Sequence, residues 1–281
     1  MKVRVVSAAV AIFLLAVIVY IGETAIGLAV FALAALGVRE FNGALEKAGF
    51  KPVNILSYLS CLPLLYLAVS NLMPWQVIAT MDGNYSDVAA LGLFVLVVMA
   101  SCFVMFSRGR YKIADAAVTL AGILYVVYLL SFVTLTRNMD KGYLYIWFIF
   151  IGAWATDTFA FFTGITIGKK KIVPSISPKK TLEGFIGGIL GCMLAMVAFG
   201  MYFSGVLKIP VFHLAALGLV CGVISQLSDW SASAVKRAAG LKDYGNIMPG
   251  HGGVLDRVDS ILFTAPAVYF YINIFITGVP V

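Results

Sequence analysis

Residues 182–204 read LEGFIGGILGCMLAMVAFGMYFS, and the stretch before them, 169–181, reads KKKIVPSISPKKT. About 20 mostly apolar residues let a helix cross the hydrocarbon layer with every backbone hydrogen bond closed internally. Lys169, Lys170, Lys171, Lys179 and Lys180 crowd its start, which predicts a cytoplasmic loop feeding a membrane span. Gly184, Gly187, Gly188 and Gly191 give that span a small-residue face. Such a face predicts close helix packing, not ligand contact.

The same alternation of apolar run and short polar loop extends in both directions. Of 281 residues, 62% are hydrophobic and 12% charged, and the mean hydropathy is +1.00, far from a soluble domain. The expected fold is all-α, a polytopic membrane helix bundle of about nine spans: 4–21, 24–38, 55–73, 88–106, 113–135, 143–166, 182–204, 210–235 and 260–278. Residues 1–281 are expected to form one transmembrane domain, with N-terminal spans over 1–142 and the spans and loops richest in buried acids and basic clusters over 143–281. The run at Met1–Ile21 is expected to stay as an uncleaved first span. The span at 24–38 is short for a crossing, and Arg39–Pro52 is expected to be an amphipathic piece at the inner surface. Met73–Asp87 is expected to be an outer connector.

A cytoplasmic N-terminus puts all of the 20 Lys and Arg inside except Arg137, Lys141 and Lys208, so the protein is expected in the cell membrane with its polar loops facing the cytoplasm. The net charge of +7 is spread over these loops instead of one basic face, which argues against nucleic acid. Cys61, Cys102, Cys192 and Cys221 stand singly in apolar segments and are expected to pack as small hydrophobes.

Acids within apolar spans mark the second half: Asp157, Glu183 at the start of 182–204, and Asp229. Each costs about 2.5–3.5 kcal/mol near mid-bilayer, so they are expected to share a polar cavity. Ser225, Asp229, Ser233 and Lys236 follow helical spacing and form one polar stripe. The loop beyond presents Lys236, Arg237, Lys242, Asp243, His251, Asp256, Arg257 and Asp259 around the flexible turn Pro249–Gly253. Hard oxygen donors beside Lys and Arg suit Mg²⁺ with a phosphate ligand better than zinc. Ser177 or Thr181 is expected to cap the helix that starts at 182. Anchoring to anionic lipid accounts for the lysines of 169–180 but not for their Ser-Pro-Lys-Lys-Thr-x-Glu-Gly setting.

Three segments carry a resemblance: Ser233-x-Val235-Lys236-Arg237 followed by Lys242-Asp243-x-Gly245 and Pro249-x-His251-Gly252-Gly253-Val254-x-Asp256-Arg257-Val258-Asp259; Trp154-Ala155-x-Asp157-Thr158-Phe159-Ala160; and Ser177-Pro178-Lys179-Lys180-Thr181-x-Glu183-Gly184. Together they resemble the phosphatidate cytidylyltransferase family. The N-terminal half is similar only in its run of spans, and Ala232 stands where many members carry an acid. The resemblance implies that CTP and phosphatidic acid give CDP-diacylglycerol and diphosphate, with Mg²⁺, with potassium as a second ion, and with a homodimer as the family-like assembly. It implies a catalytic set of Lys242, Asp243, His251, Asp256, Arg257 and Asp259, with Asp229 and Asp256 on metal. Lys236, Arg237, Lys242 and Arg257 would neutralise the triphosphate, with Ser233 beside them, and His251 would position phosphate. Ser177, Lys179, Lys180 and Thr181 would guide a head group, while Asp157 and Glu183 line the cavity. Alternatives are a cytidylyltransferase for another lipid phosphate, or an ion transporter, which would not need the long loop motif.

Overall fold

The structure is a computed structural model that describes residues 13–69, 85–246 and 252–278. The start of the first expected span, most of the connector Met73–Asp87, and the turn residues Pro249, Gly250 and His251 lie outside the described residues. Within them the chain is helical: α1 (13–21), α2 (Glu23–Lys47), α3 (Asn54–Leu59), α4 (Leu62–Val69), α5 (Tyr85–Phe106), α6 (Ile113–Arg137), α7 (Gly142–Thr166), α8 (Leu182–Tyr202), α9 (Ser204–Leu207), α10 (Val211–Ala238) and α11 (Leu255–Tyr271). A π-helical stretch, Ile272–Thr277, continues α11, and another, Ile123–Tyr128, lies inside α6.

Among the described residues, six helices are long and apolar enough to cross a membrane: α2, α6, α7, α8, α10 and the continued α11; Asn54–Val69 and Val95–Phe106 are shorter apolar stretches. Large apolar side chains such as Phe161, Phe162, Leu190 and Leu194 are exposed around the outside. In water such a belt would be a liability; in lipid it is the expected outer surface. This is a multi-pass membrane protein.

Two expected spans take a different form. The helix expected over 24–38 runs on to Lys47, so Arg39–Lys47 is its continuation and no separate surface piece. Its last turns are buried at Glu40, Phe41, Asn42, Ala44 and Leu45, because they pack against other helices. The run expected over 55–73 is divided between Leu59 and Leu62. Pro63 has no N–H to continue the first helix, and its ring crowds the carbonyl four residues back.

The small-residue face behaves as the sequence implied. A Cβ on Gly187 would lie 2.2 Å from Thr163 Oγ1, and one on Gly191 would lie 2.0 Å from Phe159 Cγ, so α8 is pressed directly onto α7. From the other side, Gly218 and Gly222 of α10 bring Met193 and Ile189 of α8 equally close. Without a hydrophobic drive between helices in lipid, this close approach gathers the dispersion contacts that hold the group. Helix α11 packs on α10, α7, α6 and α2, and α7, α8, α10 and α11 together wall the polar centre described next.

Candidate active site

The loop between α7 and α8 is folded on itself. Leu182 N–H donates to Lys170 O at 2.8 Å and Ile172 N–H to Lys180 O at 3.3 Å, beside an isolated bridge pairing Lys171 with Thr181. Glu183 closes it from the helix side: its carboxylate accepts from Lys169 N–H at 2.9 Å and from Lys170 N–H at 3.2 Å. Glu183 therefore shapes the lysine loop, whatever else it lines. Thr181 is the cap that the sequence left open between two candidates, its Oγ1 accepting from Gly184 N–H at 3.2 Å. Ser177 lies within the loop, where its carbonyl accepts from Lys180 N–H, and Lys179 is exposed.

From this loop Lys180 reaches inward to the α10 stripe, its Nζ 2.7 Å from Asp229 Oδ2. Burial alone would lower the lysine's pKa, but the carboxylates of Asp229, Asp157 and Asp259 outweigh it and hold the value above the usual one. One ammonium thus sits among three acids from α7, α10 and α11. Serines tie the acids together. Ser260 Oγ donates to Asp157 Oδ2 at 3.0 Å, Ser260 N–H donates to Asp259 Oδ1 at 2.8 Å, and Ser228 Oγ donates to the Asp259 carbonyl. Among the described residues, no three Asp, Glu, His or Cys side chains close on one point tightly enough to cage an ion unaided.

Asp256 belongs to a second group. Its Oδ1 is 2.7 Å from Lys236 Nζ, and its Oδ2 accepts from Tyr244 N–H at 2.8 Å and Gly253 N–H at 3.0 Å. Lys236 also lies over the Tyr244 ring, 5.4 Å from its centroid, and the Tyr244 hydroxyl donates to Ala232 O at 3.1 Å. Asp229 and Asp256, expected to share an ion, are thus engaged with different lysines. Lys242 and Asp243 of the loop, Arg237 in the last turn of α10 and Arg257 in the first turn of α11 are exposed, and Arg237 donates to Leu241 O at 2.7 Å. Ser233 is half-buried on the α10 stripe. His251 lies outside the described residues.

A residue from the N-terminal half completes this second group. Glu40 of α2 is buried, and its carboxylate accepts from Val254 N–H at 2.9 Å and Leu255 N–H at 2.7 Å. These are two of the donors that the first turn of α11 would otherwise leave unmet, at the end of the helix that favours negative charge. Gly245 and Gly253 line the glutamate so closely that a Cβ on either would fall 2.7 or 2.5 Å from its carboxylate oxygens. In the sequence Glu40 stands beside Arg39, just past the apolar run 24–38, with nothing to mark it as buried.

Two groups of paired charges thus lie at the same end of the bundle, beside the lysine loop. The profile of the cytidylyltransferase family matches residues 2–275. Phosphatidate cytidylyltransferases of Staphylococcus epidermidis and Staphylococcus aureus are each 33% identical, over 267 and 268 residues, which is 95% of this chain and 96% of each relative. That of Bacillus subtilis is 44% identical over 140 residues, 50% of this chain and 51% of the relative. The chain belongs to the cytidylyltransferase family.

Proposed function

We infer that the protein is a phosphatidate cytidylyltransferase, which joins CTP to phosphatidic acid and releases diphosphate in phospholipid biosynthesis. An oxygen of the lipid phosphate attacks the α-phosphorus of CTP, forming one P–O bond as the bond to the β-phosphate oxygen breaks. A phosphomonoester has its second pKa at about 6, so the nucleophile is already largely dianionic and needs no strong base. The task is to bring two polyanions together and hold them in line. The observation that carries this reading is the convergence of Asp157, Asp229 and Asp259 on Lys180, beneath a loop rich in lysine.

Mg²⁺ fits the residues in kind and charge: hard carboxylate oxygens, three acids against one ammonium, and a shell that substrate phosphate oxygens would complete. Asp229 would hold it, with Asp259 as a further ligand or neighbour, and its role would be to neutralise phosphate charge. Asp256 suits that role less well, because both its oxygens are already hydrogen-bonded. Lys242, Arg237 and Arg257, exposed as is Asp243, would meet the triphosphate. Lys179 and Ser177 would meet a head group, and His251 would position phosphate. Potassium as a second ion and a homodimer belong to the same reading. So do nine crossings, a cytoplasmic N-terminus, the whole chain as one transmembrane domain, and a site that faces the cytoplasm from the cell membrane; the bias of Lys and Arg supports this orientation.

The test is conversion of labelled CTP by purified protein into a lipid-soluble product. Product is expected only when phosphatidic acid and Mg²⁺ are both supplied. No product with phosphatidic acid, but product with a different lipid phosphate, would overturn the substrate.

A further inference from the structure

Tyr125 lies in the π-helical stretch Ile123–Tyr128, halfway along α6, in the half of the chain that the family motifs do not reach. Single π turns inside α-helices recur at functional sites, because they re-aim a side chain that the regular ladder would point elsewhere. The tyrosine ring is held on two sides. Phe41 of α2 lies 5.5 Å away, centroid to centroid, and Phe263 of α11 meets it edge-on at 5.9 Å. Phe263 follows Asp259 by one helical turn, so the ring abuts the helix that carries that acid.

The hydroxyl at the end of this fixed ring is buried and has no hydrogen-bond partner among the described residues. It lies within electrostatic range of the Asp259 and Asp229 carboxylates. Trp230 Nε1, in a ring stacked on Phe185, is likewise buried without a partner; the other such atoms have readier explanations. Thr134 and Ser225 hydroxyls sit in helices, where a small rotation reaches the carbonyl one turn back, and Arg137 and Asn138 lie at the far end of α6 from the acids. A phenol clamped between two rings has no such freedom. Native structures leave few polar groups buried and unmet, because each costs stability.

We propose that the Tyr125 hydroxyl is a substrate-binding group that donates a hydrogen bond to a phosphate oxygen of the nucleotide or of the lipid phosphate bound beside Asp229 and Asp259. A neutral donor suits this position, since it grips an anionic oxygen without adding to the charge balance that Lys180 and the acids already set. The proposal rests on the reading that both substrates bring phosphate to this site.

Tyr125→Phe removes only the oxygen. In purified full-length protein, the variant is expected to melt at the wild-type temperature or above, because an unmet buried hydroxyl is gone. It is also expected to lose about tenfold or more in kcat/KM, as for the loss of a hydrogen bond to a charged group. Separate titrations of CTP and phosphatidic acid identify the source of the phosphate as the substrate whose KM rises; a fall in kcat alone places the contact in the transition state. Unchanged kinetics would overturn the proposal, and so would a lower melting temperature, which would give the hydroxyl a protein partner. A second readout needs no turnover. The rise in melting temperature produced by CTP, or by phosphatidic acid in mixed micelles, should be smaller in the variant for one of the two. An equal rise with both, together with an unchanged kcat, would overturn the proposal, whereas wild-type protein that makes no CDP-lipid refutes the function instead.

Discussion

Replacing Glu40 tests whether the N-terminal half of the chain sets the geometry of the site. Its buried carboxylate accepts from Val254 N–H and Leu255 N–H at 2.9 and 2.7 Å. Glu40→Ala leaves both donors unmet in a dry setting, at about 1–3 kcal/mol each, so about 2–6 kcal/mol in all. That is a large share of the roughly 5–15 kcal/mol of a whole domain. Glu40→Gln keeps one acceptor oxygen and the same shape, so it should cost about 1–3 kcal/mol. Since the first turn of α11 carries Asp256 and leads to Asp259, fraying it should lower kcat by far more than it raises KM for CTP. Gly253→Ala pushes on the same carboxylate from the other side, and its effect should be less than additive with that of Glu40→Gln, as expected for groups in direct contact. Thermal unfolding in detergent, alongside initial rates with CTP and phosphatidic acid, reads both effects. A Glu40→Ala variant that melts and turns over like wild type would refute the cap, and full additivity with Gly253→Ala would refute the contact.

Two further outcomes follow from the packing. Lys236→Met strands the nearly buried Asp256 carboxylate and should cost about 3–5 kcal/mol by chemical denaturation, with most of the loss recovered in Lys236→Met/Asp256→Asn; no recovery would mean that Lys236 stabilises through other contacts. Gly191→Ala puts a methyl 2.0 Å from the Phe159 ring and should cost about 1–3 kcal/mol by forcing α8 off α7, so an unchanged melting temperature would show that the helices separate freely there.

What the sequence disclosed and what it hid divide along chain distance. Apolar runs, lysine clusters and the small-residue face of α8 are local patterns, and each corresponds to a helix, a loop or a contact in the structure. Asp229 was also legible, because an acid in an apolar run demands a partner. Its partner was not: Lys180 lies in a different loop, and nothing in residues 169–181 distinguishes it from its neighbours. Glu40 was hidden for the same reason, since its two donors are more than two hundred residues away. Arg39–Pro52 reads as a polar surface piece until α11 is set against it. The π-helical stretch of α6 had only Gly122 just before it, which a small-residue packing position explains equally well, whereas the break before Leu62 carried a clearer sign in Pro63.

The two lysine–aspartate pairs make different kinds of ties, and this bears on which lysine is free to meet substrate. Both pairs are 2.7 Å long, but the side chains of Lys236 and Asp256 are 10% and 4% exposed against 28% and 20% for Lys180 and Asp229. Asp256 is further fixed by two backbone N–H groups, and its lysine by the Tyr244 ring. Drawing Lys236 away would leave a buried charge behind, which costs far more than one new phosphate contact returns. Lys180 comes from a surface loop, and its ammonium lies among three acids whose charge an incoming metal would meet instead. With Mg²⁺ held by Asp229, Lys180 would be free to turn toward a substrate phosphate, and the added positive charge would offset that of the incoming phosphates. On the proposed function, then, Lys236 would hold the loop that frames the site, and Lys180 would be the lysine that turns from acid to substrate.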